Sequence, residues 1–414
     1  MSDISYDKIE ISGIDYISIE YLDIEQKVNE HARAAVRLII DEQAGKEYLE
    51  SSYEEETVSV YADDSVIFCG LIQNVTLKYE ADHALLLLSL VSCSIMWDIQ
   101  KQNKSYQRIG TSFVEIMNKA VSETGMIINH AETSVSEAMI VQYQETNWQF
   151  ILRMAAYMKA PVFVDVTVNK PVIYIGTDKD GECSRYTRKV IERGVLRTYK
   201  TKSNSSELIP QYQKPAYIGK IFRAIVKDVS RTDIRVWIPE LDECFDDASN
   251  TWFSYLTAYS SEINEAGIYC MPVAEEPIRI FLPSEGLKDI FASSGPAVRG
   301  IQENNEERCF QTPEGMTILF GKEGLTINCK DCTTFIQLNK DGTIAMASNK
   351  SIGILSKTNI KMKAIDGSVS MNSKGTMELV TPGAYIGFGK AVDENGNSTN
   401  ESLVKLYASQ IYMG

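Results

Sequence analysis

The sequence predicts a mainly β chain with a few helices, and three observations carry that prediction. Apolar and polar residues alternate with a period of two over much of residues 1–205, as half-buried strands require. From Pro215, short β-branched runs follow one another, broken by Pro, Gly and Asp. Over Thr358–Gly383, apolar residues come in pairs two apart that return every eight or nine residues, with Gly367, Gly375 and Gly383 between them.

The first 205 residues form one region. EISGIDYISIEYLDIEQKVNEHARAAVRLII and ETVSVYADDSVIFCGLIQNVTLKYE alternate as strands, the second around the turn formers Asp63 and Asp64. ALLLLSLVSCSIMW, from Ala84 to Trp97, is the longest apolar run. It is shorter than the roughly 20 residues of a spanning helix, and reads as a buried strand. TSFVEIMNKAVSETG predicts a helix capped by Thr111 or Ser112, with Phe113, Ile116, Met117, Ala120 and Val121 on its packing face. QYQETNWQFILRMAAYMKAPVFVDV predicts a second helix, capped by Thr146 or Asn147, with an inner stripe of Phe150, Ile151, Met154, Ala155 and Met158. Such stripes are packing faces before they are ligand boxes.

YKTKSNSSELIPQYQK, residues 199–214, reads as a linker. Five runs then follow: YIGKIFRAIVKDV, RTDIRVWIP, WFSYLTAY, GIYCMPV and EEPIRIFLPS. Five short strands over residues 206–302 predict a small barrel of the oligonucleotide/oligosaccharide-binding (OB) type. A second polar connector, QENNEERCFQTPEG, leads to residues 303–414.

The repeat there comprises Met316/Ile318, Leu325/Ile327, Ile336/Leu338, Ile344/Met346, Ile352/Ile354, Ile360/Met362, Val369/Met371 and Met377/Leu379. One such strand cannot bury its apolar face alone, so stacking is compulsory. Two architectures satisfy the pattern: a single-chain β-helix with about three repeats per coil, or an intertwined trimer with one repeat per chain per layer.

Chemistry is sparse. The 414 residues carry a net charge of −15, which argues against a binder of phosphate backbones. MSDISYDKIEISG lacks the basic-then-apolar order of an export signal. Eight scattered cysteines read as reduced thiols. Cys329 and Cys332 form a lone CxxC, under-coordinated for zinc and read as a strand residue plus a turn residue. His31, His83 and His130 are far apart, so neither metal nor cofactor is expected. Most carboxylates sit in polar stretches such as YLESSYEEE and ELDECFDD, read as solvated faces, and no catalytic residue is assigned.

In this order the three segments resemble the VgrG family, the hub-and-needle spikes of contractile injection systems and contractile phage tails. Tyr143, Glu145, Trp148 and Phe150 fall where that family's hub stretch places a Tyr, an acidic residue and a Trp before a helix. Pro239, Trp252, Pro272 and Ile278–Leu282 are similarly in register with its small barrel. There are departures. The barrel's acidic-Gly-Asp turn is replaced by PVAEEPIRI, the needle is rich in Ile and Met, and GKAVDENGNSTNES interrupts it as an insertion.

The resemblance implies a hub of barrel-like folds (1–205), an OB-fold barrel (206–302) and an intertwined trimeric β-helix needle (303–414). Ile344, Met346, Ile352, Ile354, Ile360, Met362, Val369, Met371, Met377 and Leu379 would line the needle core. Ile411, Tyr412 and Met413 would dock a PAAR-type tip protein. It further implies a non-enzymatic homotrimer that caps an inner tube, meets baseplate proteins, carries effector cargo and punctures a target envelope on sheath contraction. Such a spike is assembled in the cytoplasm, is translocated or extracellular on firing, and touches the target membrane only then. The competing reading is a β-helical cell-wall or polysaccharide-degrading enzyme of a phage tail.

Overall fold

Period-two alternation in the N-terminal half builds one nine-stranded sheet in which every neighbouring pair is antiparallel. Its order is Ile4–Ser5, Val195–Asn204, Glu182–Glu192, Ser18–Lys27, Arg33–Ile40, Ala84–Ser92, Ser65–Tyr79, Thr57–Ala62 and Ile9–Ile11. The structure, a computed structural model, describes residues 4–408 apart from 51–56, 81–82, 178–181, 259, 262–265, 269, 287–288, 296–306, 382–383 and 393–397. The chain divides into two compact units, residues 1–297 and 298–414.

In the first unit, Leu22, Ile24, Val36, Leu38, Val60, Phe68, Leu86 and Leu90 form the core beneath the sheet. Ala84–Ser92 lies between Arg33–Ile40 and Ser65–Tyr79, and only Leu87 and Ser89 escape full burial. One face is buried along its whole length and the other at its two ends, Leu85 and Val91, which suits a nearly unbroken apolar run.

Among the described residues three α-helices accompany the sheets: α1 (Glu42–Glu50), α2 (Phe113–Val121) and α3 (Asn147–Tyr157). The helix α1 is not anticipated by the sequence reading, whose acid-rich stretch lacks an apolar stripe. Ser112 caps α2, its hydroxyl accepting from the Glu115 N–H, and Ile116, Met117 and Val121 are buried. Thr146 caps α3 in a reciprocal capping box with Gln149. Phe150, Ile151, Met154 and Ala155 pack with Trp97, Ile127, Val162, Ile173 and Ile175 into a second core.

A closed five-stranded barrel follows: Lys220–Ser230, Asp233–Trp237, Phe253–Tyr255, Phe291–Ser294 and Pro277–Leu282 in barrel order. Four of the five predicted strands take part. GIYCMPV does not; its first residue, Gly267, belongs with Ala266 to a two-residue pairing with Ser260–Ser261. Pro272 has no N–H to give a ladder, and Phe291–Ser294 fills the place, parallel to Ser254–Tyr255. Phe222, Ala224, Val226, Ile234, Val236, Ile278 and Ile280 fill the barrel.

Three loop assignments change. Tyr199–Asn204 belongs to a strand, because its backbone pairs with Glu182–Arg188 despite its polar side chains. Arg308–Gln311, inside the second connector, is a strand against Thr317–Phe320. The supposed insertion from Gly389 to Ser402 supplies both arms of a hairpin, Ala384–Val392 with Ser398–Ala408.

In the second unit, Arg308–Gln311, Thr317–Gly321, Gly324–Asn328, Phe335–Asn339 and Ile344–Ala347 form a sheet whose consecutive strands are antiparallel neighbours. A single-chain β-helix would pair each repeat with one about three further on, so this order overturns that architecture over these residues. Cys329 and Cys332 sit in one of the turns, with the Cys332 N–H donating to the Cys329 carbonyl at 2.9 Å. Gly324, at φ 145°, occupies a place where a Cβ would fall 2.0 Å from the Leu338 carbonyl oxygen, so only glycine fits. Residues 348–376 are in no strand, and among the described residues none pairs with them in a ladder. Met377–Thr381 resumes pairing, against Ala384–Phe388.

The Thr146 hydroxyl also donates to Asp98 at 2.5 Å. Thr146→Ala is therefore expected to cost the N-terminal unit about 1–2 kcal/mol in urea denaturation, and Thr146→Ser much less. Equal losses would mean that the cap does not hold α3.

Candidate functional site

The four residues that align with the hub motif have distinct roles around α3. A bulge in the strand Ile140–Thr146 falls between Tyr143 and Glu145, with Gln144 at φ 54°. It turns Glu145 inward, where both carboxylate oxygens accept from Arg153, at 2.9 Å from Nε and 2.7 Å from Nη2. Arg153 is 1% exposed; its Nη2 also donates to the Val141 carbonyl, and its guanidinium lies over the Phe150 and Tyr217 rings. Burial works against that charge, but the Glu145 carboxylate more than offsets it and holds the guanidinium above its usual range. Phe150 stacks on Tyr106, and Trp148 is buried 4.2 Å from the His31 ring.

Tyr143 points the other way, edge-on to Phe222 of the barrel at 5.1 Å, while Met139 and Val141 join the barrel's own core. Polar bonds reinforce this contact. Asp242 accepts from the backbone N–H and the hydroxyl of Ser105, Arg108 grips Asp246 with two bonds, and the Tyr157 hydroxyl donates to Glu285 at 2.7 Å. An open cavity of about 870 Å³ lies between Gln102–Arg108 and Leu241–Ala248. Its Asp242 carboxyl is pushed up by burial and is held by the Ser105 hydroxyl and N–H.

One arrangement has catalytic composition. His31 Nδ1 lies 2.7 Å from Ser94 Oγ, and Nε2 lies 3.5 Å from Asp98. Ser94 is buried, however, and its hydroxyl also shares a 2.8 Å bond with Ser92, whose Oγ accepts from the Ala32 N–H. A nucleophile sealed in this way cannot meet substrate. Burial lowers the affinity of His31 for a proton. His83 and His130 lie elsewhere, beside Glu80 and Tyr174. Among the described residues no cluster of His, Cys, Asp and Glu could hold a metal ion.

In the second unit the needle residues are found on open faces. Phe310, Ile318, Ile327, Ile336 and Met346 are direct cross-strand neighbours, and Phe320, Leu325, Leu338 and Ile344 make a second row beside them. This apolar face is the more exposed one, from 37% at Ile318 to 68% at Ile344, with Leu325 half-buried. Ile352, Ile354, Ile360, Met362, Val369 and Met371 continue at 51–62% exposure along a segment with no partner strand, and Leu379 is likewise open. Met377 is half-buried. Apolar patches of this extent mark interaction surfaces. Ile411, Tyr412 and Met413 lie outside the described residues.

A β-rich N-terminal unit bearing a closed five-stranded barrel, followed by a repetitive β unit with an open apolar face, is the fold of the VgrG-type hub-and-spike tail proteins. More particularly, the chain shares its fold with a chain of the Francisella PdpA–VgrG complex in its lidded form, with a TM-score of 0.51 and 8% identity over 82% of this chain and 79% of that one. The E. coli c3393 protein, a type VI secretion component described as similar to the T4 tail proteins gp27 and gp5, matches with a TM-score of 0.45 and 12% identity, over 69% of this chain and 99% of its own. Residues 3–177 match the family described as the Alg8 N-terminal domain. No curated protein sequence matches the chain.

Removing one member of the buried pair isolates the other. Glu145→Gln is expected to cost about 3–5 kcal/mol in denaturant unfolding of the N-terminal unit. Glu145→Gln combined with Arg153→Met should recover part of that loss, because the stranded charge is gone. A harmless single variant would show that the pair is dispensable.

Proposed function

We propose that this chain is the structural hub and spike of a contractile injection machine. The observation that carries the reading is the open apolar face of residues 310–379, which a single chain leaves in water. Three copies arranged about one axis would cover it, each layer burying about two apolar side chains per chain at roughly 1.5–3 kcal/mol apiece. Threefold closure also supplies the strand partners that residues 348–376 lack within one chain. In this reading Ile344, Met346, Ile352, Ile354, Ile360, Met362, Val369, Met371, Met377 and Leu379 line the shaft.

The N-terminal unit caps the inner tube and meets baseplate proteins. The far end, through Ile411, Tyr412 and Met413, seats a PAAR-type tip protein, and effector cargo travels with the spike. The assembly forms in the cytoplasm and crosses the target envelope when the sheath contracts. It works by stiffness rather than by catalysis, in keeping with the sealed Ser94.

Light scattering on the purified chain should give three times 46.4 kDa; a monomer with intact β signal would defeat the trimer. Ile360→Asp or Met371→Asp would set three unpaired carboxylates around the axis, and should reduce the mass to that of a monomer. Lys361→Asp, on the opposite side of the same segment, should leave the trimer intact. If all three variants behave alike, these apolar positions do not line the shaft.

A further inference from the structure

Strand register sets two of the eight cysteines against each other. Ser65–Tyr79 and Ala84–Ser92 are antiparallel neighbours, and their ladder ends with Leu71 opposite Val91 and Gly70 opposite Ser92. One step further along stand Cys69 and Cys93. Leu71 and Val91 are two positions back on each chain, so the cysteines share their side of the sheet. Phe68 and Leu90 belong to the core on the opposite side, which neither cysteine joins. Directly opposite residues of an antiparallel pair have Cα atoms about 4.5–5.5 Å apart. A disulfide spans Cα separations of about 4.4–6.8 Å, so this register lies within its reach.

Both side chains are buried, and the two thiols are hydrogen-bonded to each other. The Cys69 N–H donates to the Val166 carbonyl, which fixes that backbone from a third segment. Other cysteines are placed differently. Cys183 is opposite Ser203 and Cys309 is opposite Leu319, while Cys329 and Cys332 share one open turn.

We propose that Cys69 and Cys93 are a disulfide-forming pair, held as thiols under reducing conditions and closed by exchange with a small-molecule disulfide such as oxidised glutathione. Cys69 is the attacking sulfur. The hydrogen bond from Cys93 stabilises its thiolate and holds it below the usual thiol range, while that same bond and burial raise Cys93. The Cys69 thiolate displaces one glutathione thiolate and forms a mixed disulfide. Cys93 then gives up its proton and attacks Cys69 Sγ, expelling the second glutathione. Two protein thiols lose two protons and two electrons, and one oxidised glutathione becomes two reduced ones. The link closes the hairpin next to the turn Cys93–Asp98, whose Ser94 and Asp98 bond His31 and Thr146. By restricting the unfolded chain it stabilises the folded one. Burial makes it a staple rather than a fast sensor, because exchange in the folded state waits for a local opening.

The test refolds the full chain in a buffer of reduced and oxidised glutathione, then denatures it and blocks the remaining thiols with a maleimide. Peptide mass mapping should find Cys69 joined to Cys93, whatever the state of the exposed cysteines. The denaturant midpoint of the N-terminal unit should be higher than in the reduced chain, and dithiothreitol should return it to the reduced value. Cys69→Ala and Cys93→Ala should each abolish the link and the rise, whereas Cys329→Ser with Cys332→Ser should change neither. The mapping itself needs no variant, so it stands even where a substitution impairs folding. Recovery of Cys69 and Cys93 as blocked thiols, or as lasting mixed disulfides with glutathione, would overturn the pair. A link that forms without raising the midpoint would overturn its part as a staple.

Discussion

A strand with one apolar face is stable only when something covers that face, and the two units meet this requirement differently. In the first unit the cover lies within the chain. The nine-stranded sheet buries one face over its own core, and α2 and α3 close the smaller layer. In the second unit the same alternation produces rows of isoleucine, methionine and phenylalanine that face water. The contrast lies in what each unit can pack against, for the strand pattern itself is alike in both.

The first unit joins its parts through α3. Arg153 is a large cation in an almost dry setting, tolerable only because Glu145, the Val141 carbonyl and three aromatic rings surround it. Val141 belongs to the barrel's core on its other side. The strand Ile140–Thr146 therefore serves two cores at once, and the barrel rests on the same backbone that positions the ion pair.

Periodicity made much of this legible in the sequence. Ala84–Ser92 is buried as its apolar run implies, Ser112 and Thr146 cap the helices that their positions suggest, and four barrel strands lie where Pro, Gly and Asp bracket them. What escaped the pattern has a physical reason in each case. The helix α1 is acid-rich without a stripe, and Tyr199–Asn204 is a strand held by its backbone rather than by its side chains. The barrel strand Phe291–Ser294 is too short and small to stand out. The Glu145–Arg153 pair depends on a bulge at Gln144, and the Ser94–His31–Asp98 bridge joins residues more than sixty positions apart. Such contacts follow from the fold and have no local signature.

The turns of the second unit set the order of its assembly in time. Each strand of the sheet from Arg308 to Ala347 pairs with its immediate successor, so every contact closes a loop of a few residues. Asp331 and Asp341 tighten two of those loops by accepting from Thr333 and Thr343. Local contacts of this kind form early, and single hairpins close in about 1–10 μs. Encounter between separate molecules is slower at ordinary concentrations. The apolar rows are thus laid side by side by unimolecular steps, and any later association begins from an ordered surface whose chain entropy has already been spent.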